Sequence, residues 1–294
     1  MKMKNKFQGI ISLLGATLIW GSAFIAQSVG MELIGPFTFQ TVRCGLAVLF
    51  LIPLTLLFDK GNLRLWKAKW MDKRLWKGGL ICGLALFAAA SMQQVGLVYT
   101  DAGKAGFITA MYIVLVPVLG LFLKRKPPKS ALFSVILAVV GLYLLSCMGV
   151  SRINLGDILL MGCALGYAVQ ITCVDSVAEG LDGMRLNCVQ ALVTTVLSVP
   201  FMLFTEEVNS ANVLACWLPL CYAGVLSMGV AYTLQIVGQK HLEATTAALI
   251  MSLESVIAAL CGWLILKETM TTTELLGCGL VFAAVILSQL PEKK

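Results

Sequence analysis

Ten runs of about 18 or more largely apolar residues, separated by short polar or turn-forming stretches, leave this chain few ways to fold. In a bilayer every backbone amide must find its partner inside the protein, and a helix of about 20 residues does this while crossing the hydrocarbon layer. The runs lie near residues 9–29, 36–58, 78–99, 102–123, 130–148, 155–174, 184–204, 213–237, 244–266 and 273–290. Composition agrees: 59% of the 294 residues are hydrophobic and 13% charged, where a soluble domain has about 25% charged residues. The longest polar stretch, 59–77, is too short to bury a core of its own. The expected fold class is an all-α integral membrane protein with ten transmembrane helices. The first run follows Lys2, Lys4 and Lys6, yet it carries Trp20, Ser22 and Gln27 and precedes nine more, so it reads as a retained helix.

Lysine and arginine are retained on the cytoplasmic side of a membrane. With the N-terminus inside, 18 of the 22 cations fall on cytoplasmic segments; Lys104, Arg152 and Lys267 fall outside and Arg43 lies within a run. Both termini are therefore expected in the cytoplasm. Topology and contact with anionic lipid headgroups account for the net charge of +7 without a nucleic-acid partner. All ten cysteines sit in apolar runs and none forms a Cys-x-x-Cys pair, so they read as small buried residues, not as metal ligands or disulfides. The single histidine, His241, excludes paired-histidine metal sites, and no nucleophile motif, P-loop or diphosphate-binding aspartate pair is present. No cofactor, metal or enzymatic activity is expected. A receptor or a lipid scramblase is a non-transport alternative.

Sliding the chain against itself reveals a repeat. At an offset of 142, Gln93, Val95 and Gly96 meet Gln235, Val237 and Gly238, with Tyr112 opposite Glu254 and Asp101 opposite Glu243; toward the N-terminus Pro53 meets Pro200 at 147. Five spans per half is an odd number, so the second half must lie upside down relative to the first. The expectation becomes two inverted five-helix repeats, 1–150 and 151–294, an arrangement in which carriers place substrate near the midplane between repeats. A symmetric channel is the rival, disfavoured because no charge ring or filter-like glycine run is visible.

Further residues carry a family likeness: Trp20-Gly21-Ser22-Ala23-Phe24, Arg43, Val116-Pro117-Val118, the stretch from Leu253-Glu254-Ser255 to Leu266-Lys267-Glu268, and Gly277 with Gly279. In these the chain resembles the ten-span EamA-type branch of the drug/metabolite transporter superfamily. It departs at Ser255, where the family usually has Pro, and at Lys267, where it has Gly. The resemblance implies a secondary carrier of a bacterial cytoplasmic membrane that exports or exchanges a small metabolite, amino acids or related compounds first. Drug efflux is the alternative, weakened because the first span lacks the acidic residue with which small multidrug-resistance relatives bind cationic drugs.

The candidate site residues are Glu254, Arg43, Trp20, Tyr112, Gln93 and Gln235. An acidic side chain in mid-span costs about 2.5–3.5 kcal/mol on insertion scales, so Glu254 should face the bundle interior. It is read as a proton-titrated or substrate-binding carboxylate, with interhelical hydrogen bonding as the plainer role. Arg43 has three readings: it holds a substrate carboxylate, neutralises Glu254, or snorkels to the surface. Gln27, Gln40, Gln94, Tyr167, Gln170, Gln190 and Tyr232 add hydrogen-bonding groups within spans, several of which should line one cavity. Asp101 and Glu243 are expected to complement the helix N-termini of spans four and nine. The expected partners are a small-molecule substrate, protons as the candidate coupling ion, and membrane lipids; a homodimer is left open.

Overall fold

The apolar runs become helices whose starts are capped by residues the sequence supplies. The computed structural model describes residues 2–100, 102–124, 127, 129–146, 154–265 and 270–289. The first half holds α1 (Lys2–Met31), α2 (Pro36–Phe58), a short α3 (Leu63–Trp70), α4 (Lys73–Tyr99), α5 (Ala102–Ala110), α6 (Tyr112–Phe122) and α7 (Lys129–Ser146). The second holds α8 (Leu155–Val177), α9 (Gly183–Thr205), α10 (Ser210–Ala215), α11 (Trp217–Cys221), a π-helical segment (Tyr222–Ala231), α12 (Tyr232–Gln239), α13 (Ala244–Met251), α14 (Leu253–Ile265) and α15 (Thr272–Gln289). Asn62, Asp72, Asn154, Asp182 and Asn209 each accept a first-turn amide, and Asn154 with Asp157 forms a reciprocal capping box.

Among the described residues nine helical stretches are long and apolar enough to cross a membrane, and a tenth apolar helix, Ser130–Leu145, is shorter. The chain is a multi-pass membrane protein built as two inverted repeats.

Three spans depart from the continuous helices expected. The fourth breaks between α5 and α6 at Met111, one and a half turns before Pro117, which has no amide to offer Ile113. The ninth breaks at Ser252, whose hydroxyl donates to the Leu249 carbonyl at 2.7 Å. The eighth is divided into α11, the π segment and α12. The Asn187 amide on α9 donates to the carbonyls of Met228 and Gly229 at 2.8 and 2.9 Å, satisfying groups where the winding changes. The polar stretch 59–77 contains α3, held to the end of α2 by Trp66, whose indole donates to Thr55 at 2.9 Å.

Packing follows the internal symmetry. Helix α4 runs along α8, as α1 runs along the π segment and α12. Helix α8 rests on α5 and α6, as α1 rests on α13 and α14. The pairs α2 with α9 and α7 with α15 join each span to its own repeat-mate. Close approach in the last pair needs glycine: a Cβ on Gly277 would lie 2.6 Å from the Gly141 carbonyl oxygen. The face where α1 begins and α3 lies is the basic face below. Glu243 stands at the N-cap of α13, the position from which a carboxylate complements the helix N-terminus, and makes no side-chain capping bond there. Asp101 lies outside the described residues.

Candidate functional site

The broken spans meet in the middle of the bundle, and a cavity opens where they do. It is lined by Trp20, Phe24 and Gln27 of α1, Arg43 of α2, Gln93 of α4, Tyr112 of α6 and Tyr167, Gln170 and Ile171 of α8. From the other side come Ser227 and Met228 of the π segment, Tyr232 and Gln235 of α12, Met251 of α13 and Glu254 of α14. All six candidate residues are therefore brought to one place. The cavity has a volume of about 50 Å³, room for a few waters.

Repeat-mates from the two halves line this cavity. Tyr112 and Glu254, repeat-mates 142 residues apart, meet in a hydrogen bond of 3.3 Å from the phenol to the carboxylate. The second pair of repeat-mates diverges: Gln93 accepts from the Tyr167 hydroxyl at 2.9 Å, whereas Gln235 donates to Gln170 at 3.1 Å. A directed chain of amides continues from Gln170 to Gln190 at 3.3 Å and from Gln190 to Asn187 at 2.9 Å. Each amide uses its oxygen toward the cavity and its nitrogen away from it, ending on the π-segment carbonyls. Gln190 thus belongs to the supporting network, and Gln40, bonded to Ser91 and Ser198, ties helices outside the cavity. Gln94 is buried outside it and has no hydrogen-bond partner among the described residues.

Arg43 is buried, only 5% exposed, which removes the snorkelling reading. Its guanidinium donates to Gln27 at 2.9 Å and stands 5.8 Å from the Phe39 ring centre. Among the described residues no carboxylate lies within ion-pairing distance of it, so it does not neutralise Glu254 directly. Two donors at the cavity, Arg43 Nε and the Trp20 indole N–H, are buried without partners, as is the acceptor Gln235 Oε1. Buried polar groups without partners are uncommon and concentrate where a ligand or water completes them. The Trp20 ring is fixed edge-on to Tyr232 at 4.9 Å between centroids. The site can therefore offer hydrogen bonds and a cation to an acceptor group at the Trp20 and Arg43 side and a carboxyl group at the Glu254 side.

Sequence reasoning missed Ser227 and the apolar lining, Phe24, Ile171, Met228 and Met251. Their residue types are ordinary in apolar helices, and only the π winding and the meeting of five or more helices single them out. Among the described residues no group of three His, Cys, Asp or Glu side chains is placed to hold a metal ion.

The family profile described as the EamA-like transporter family matches residues 7–147 and again 154–290. An uncharacterized transporter of Archaeoglobus fulgidus is 35% identical over 277 residues, 93% of this chain and 83% of that protein. The threonine/homoserine exporter RhtA of Escherichia coli is 28% identical over 97% of this chain and 92% of its own length. A solved crystal structure at 17% identity superposes with a TM-score of 0.72, covering 93% of this chain and 96% of that one, and shares the fold.

Proposed function

The chain belongs to the EamA-like transporter family, and from that membership together with the cavity we propose that it is a secondary carrier, not an enzyme, for small amino-acid-like metabolites. It works in the cytoplasmic membrane with both termini and the basic face inside, and exports or exchanges its substrate by alternating access. The carrying observation is that Arg43 and Glu254 face one midplane cavity without pairing with each other. A zwitterion complements such a site: its carboxylate takes the donors of Arg43 and Trp20, and its ammonium turns toward Glu254. Threonine and homoserine are the named substrates of RhtA, which makes small hydroxylated amino acids the first compounds to try. Glu254 is the candidate site for a coupling proton, since a mid-span carboxyl is costly as an unpartnered anion and gains by taking a proton or a cationic substrate in turn.

The purified protein, reconstituted in liposomes preloaded with a panel of amino acids, amino-acid derivatives and lipophilic cationic drugs, should exchange external label for internal substrate in the amino-acid group. Exchange confined to the lipophilic cations would overturn the proposed substrate class. Lipid scrambling with no solute flux would overturn the carrier reading.

A further inference from the structure

The pair formed by α2 and α9 has a symmetry finer than the rest of the repeat. Both helices are 23 residues long, and their bounds coincide at an offset of 147, so Asp59 and Glu206, the residues that close them, are repeat-mates. Each of these acidic residues reaches across to the start of the other helix, one at each face of the protein.

At the face opposite the basic one, Gly35 precedes α2 and has no side chain to cap it. The Glu206 carboxylate does so from the other repeat, accepting the amides of Phe37 and Thr38 at 2.7 Å each and the Thr38 hydroxyl at 2.6 Å. The carboxylate sits close over the glycine: a Cβ on Gly35 would lie 2.3 Å from Glu206 Cδ, so any larger residue would push the flexible end of Glu206 aside. At the basic face α9 caps itself with Asp182, which accepts the amides of Met184 and Arg185 at 3.0 Å each. Those are the positions equivalent to Phe37 and Thr38. Asp59 is left to bind the side chain of Arg185, the repeat-mate of Thr38, and also Lys69 of α3 at 2.5 Å. The side chains of both Arg185 and Asp59 are almost wholly buried.

We infer that these two contacts are the paired latches of the carrier, Glu206 on the Phe37 and Thr38 amides at one face and Asp59 on Arg185 at the other, and that release of either one opens the cavity to that side. The inference rests on the carrier reading above. Helices α2 and α9 join the two repeats directly, Arg43 brings α2 to the cavity wall, and both ends of the pair are clamped in a structure whose cavity has room for only a few waters. Because the repeats pivot on the same pair, loosening one end should tighten the other.

Hydrogen–deuterium exchange on the full chain in lipid nanodiscs tests this without any substrate. Glu206→Gln should speed exchange about tenfold in the segments around 35–40 and 201–206 and slow it around 55–60 and 183–187. Asp59→Asn should produce the opposite pattern. Should either variant fail to fold, Gly35→Ala, which crowds the Glu206 carboxylate, and Lys69→Met, which loosens Asp59, test the same two ends more gently. Faster exchange confined to the altered end, with the far end unchanged, would mark simple staples and overturn the latch. So would faster exchange at both ends. The measurement needs no transport, so its failure leaves the liposome result standing by itself.

Discussion

Tyr112 and Glu254 occupy equivalent places in the two repeats and hydrogen-bond to each other at 3.3 Å. Each follows directly on the break in its own span, at Met111 and near Ser252. The inverted repeat thus brings two unlike residues together, a phenol that donates in this contact and a carboxylate that accepts and can itself take up a proton. Glu254→Gln keeps the size and the hydrogen bond but removes the titration. Liposome exchange should fall at least tenfold and lose its dependence on pH, with protein yield unchanged; Tyr112→Phe should cost less.

Arg43→Lys retains the charge and loses the planar fork of donors. Under the proposed carboxylate contact the KM for substrate should rise about tenfold to a hundredfold while thermal stability stays near that of the wild type. A change in stability with KM unaltered would assign Arg43 to the scaffold.

Asn187 is fully buried, and its amide serves Met228, Gly229 and Thr233 while its oxygen accepts from Gln190. Asn187→Ala strands these groups, so the midpoint of thermal unfolding in detergent should drop by an amount equivalent to about 1–3 kcal/mol. Exchange in the π segment should rise with it.

Gly277 and Gly141 let α15 and α7 touch backbone to backbone. Gly277→Val meets main-chain atoms that cannot move aside, the Gly141 oxygen and the Leu145 nitrogen. The pair should be forced apart at a cost of about 1–3 kcal/mol, read as a lowered melting midpoint and lower membrane yield.

Burial pushes the Asp59 carboxyl up, but hydrogen bonds from Lys69 and Arg185 outweigh it and hold the group below its ordinary value of 3.8. A carboxyl whose folded value is depressed contributes stability that is present above the ordinary value and is lost as pH falls through the folded one. The melting midpoint of the wild type should therefore decline as pH is lowered below about 4, and Asp59→Asn should flatten that decline.

Much of this protein was legible in local pattern. The length of each apolar run determined that the chain spans a bilayer, because backbone amides have no partner in hydrocarbon except along a helix. The Gln-x-Val-Gly pairs and an odd number of spans per half determined that the halves are inverted. The high cost of Glu254 and Arg43 in apolar surroundings marked them out before any contact was known. Tertiary structure decided what these groups touch. Arg43 was open to three readings, and only packing shows it bonded to Gln27 and not to Glu254. Glu206 looks in sequence like one of several loop acids, yet it caps a helix that starts 170 residues earlier in the chain. The π segment that carries Ser227 and Met228 to the cavity has its carbonyls bonded by an amide from another span. Helical periodicity reports which face of a helix is apolar, but the partner of a buried hydrogen-bonding group is set by distance in the folded bundle, and distance has no trace in the spacing of residues along a single run.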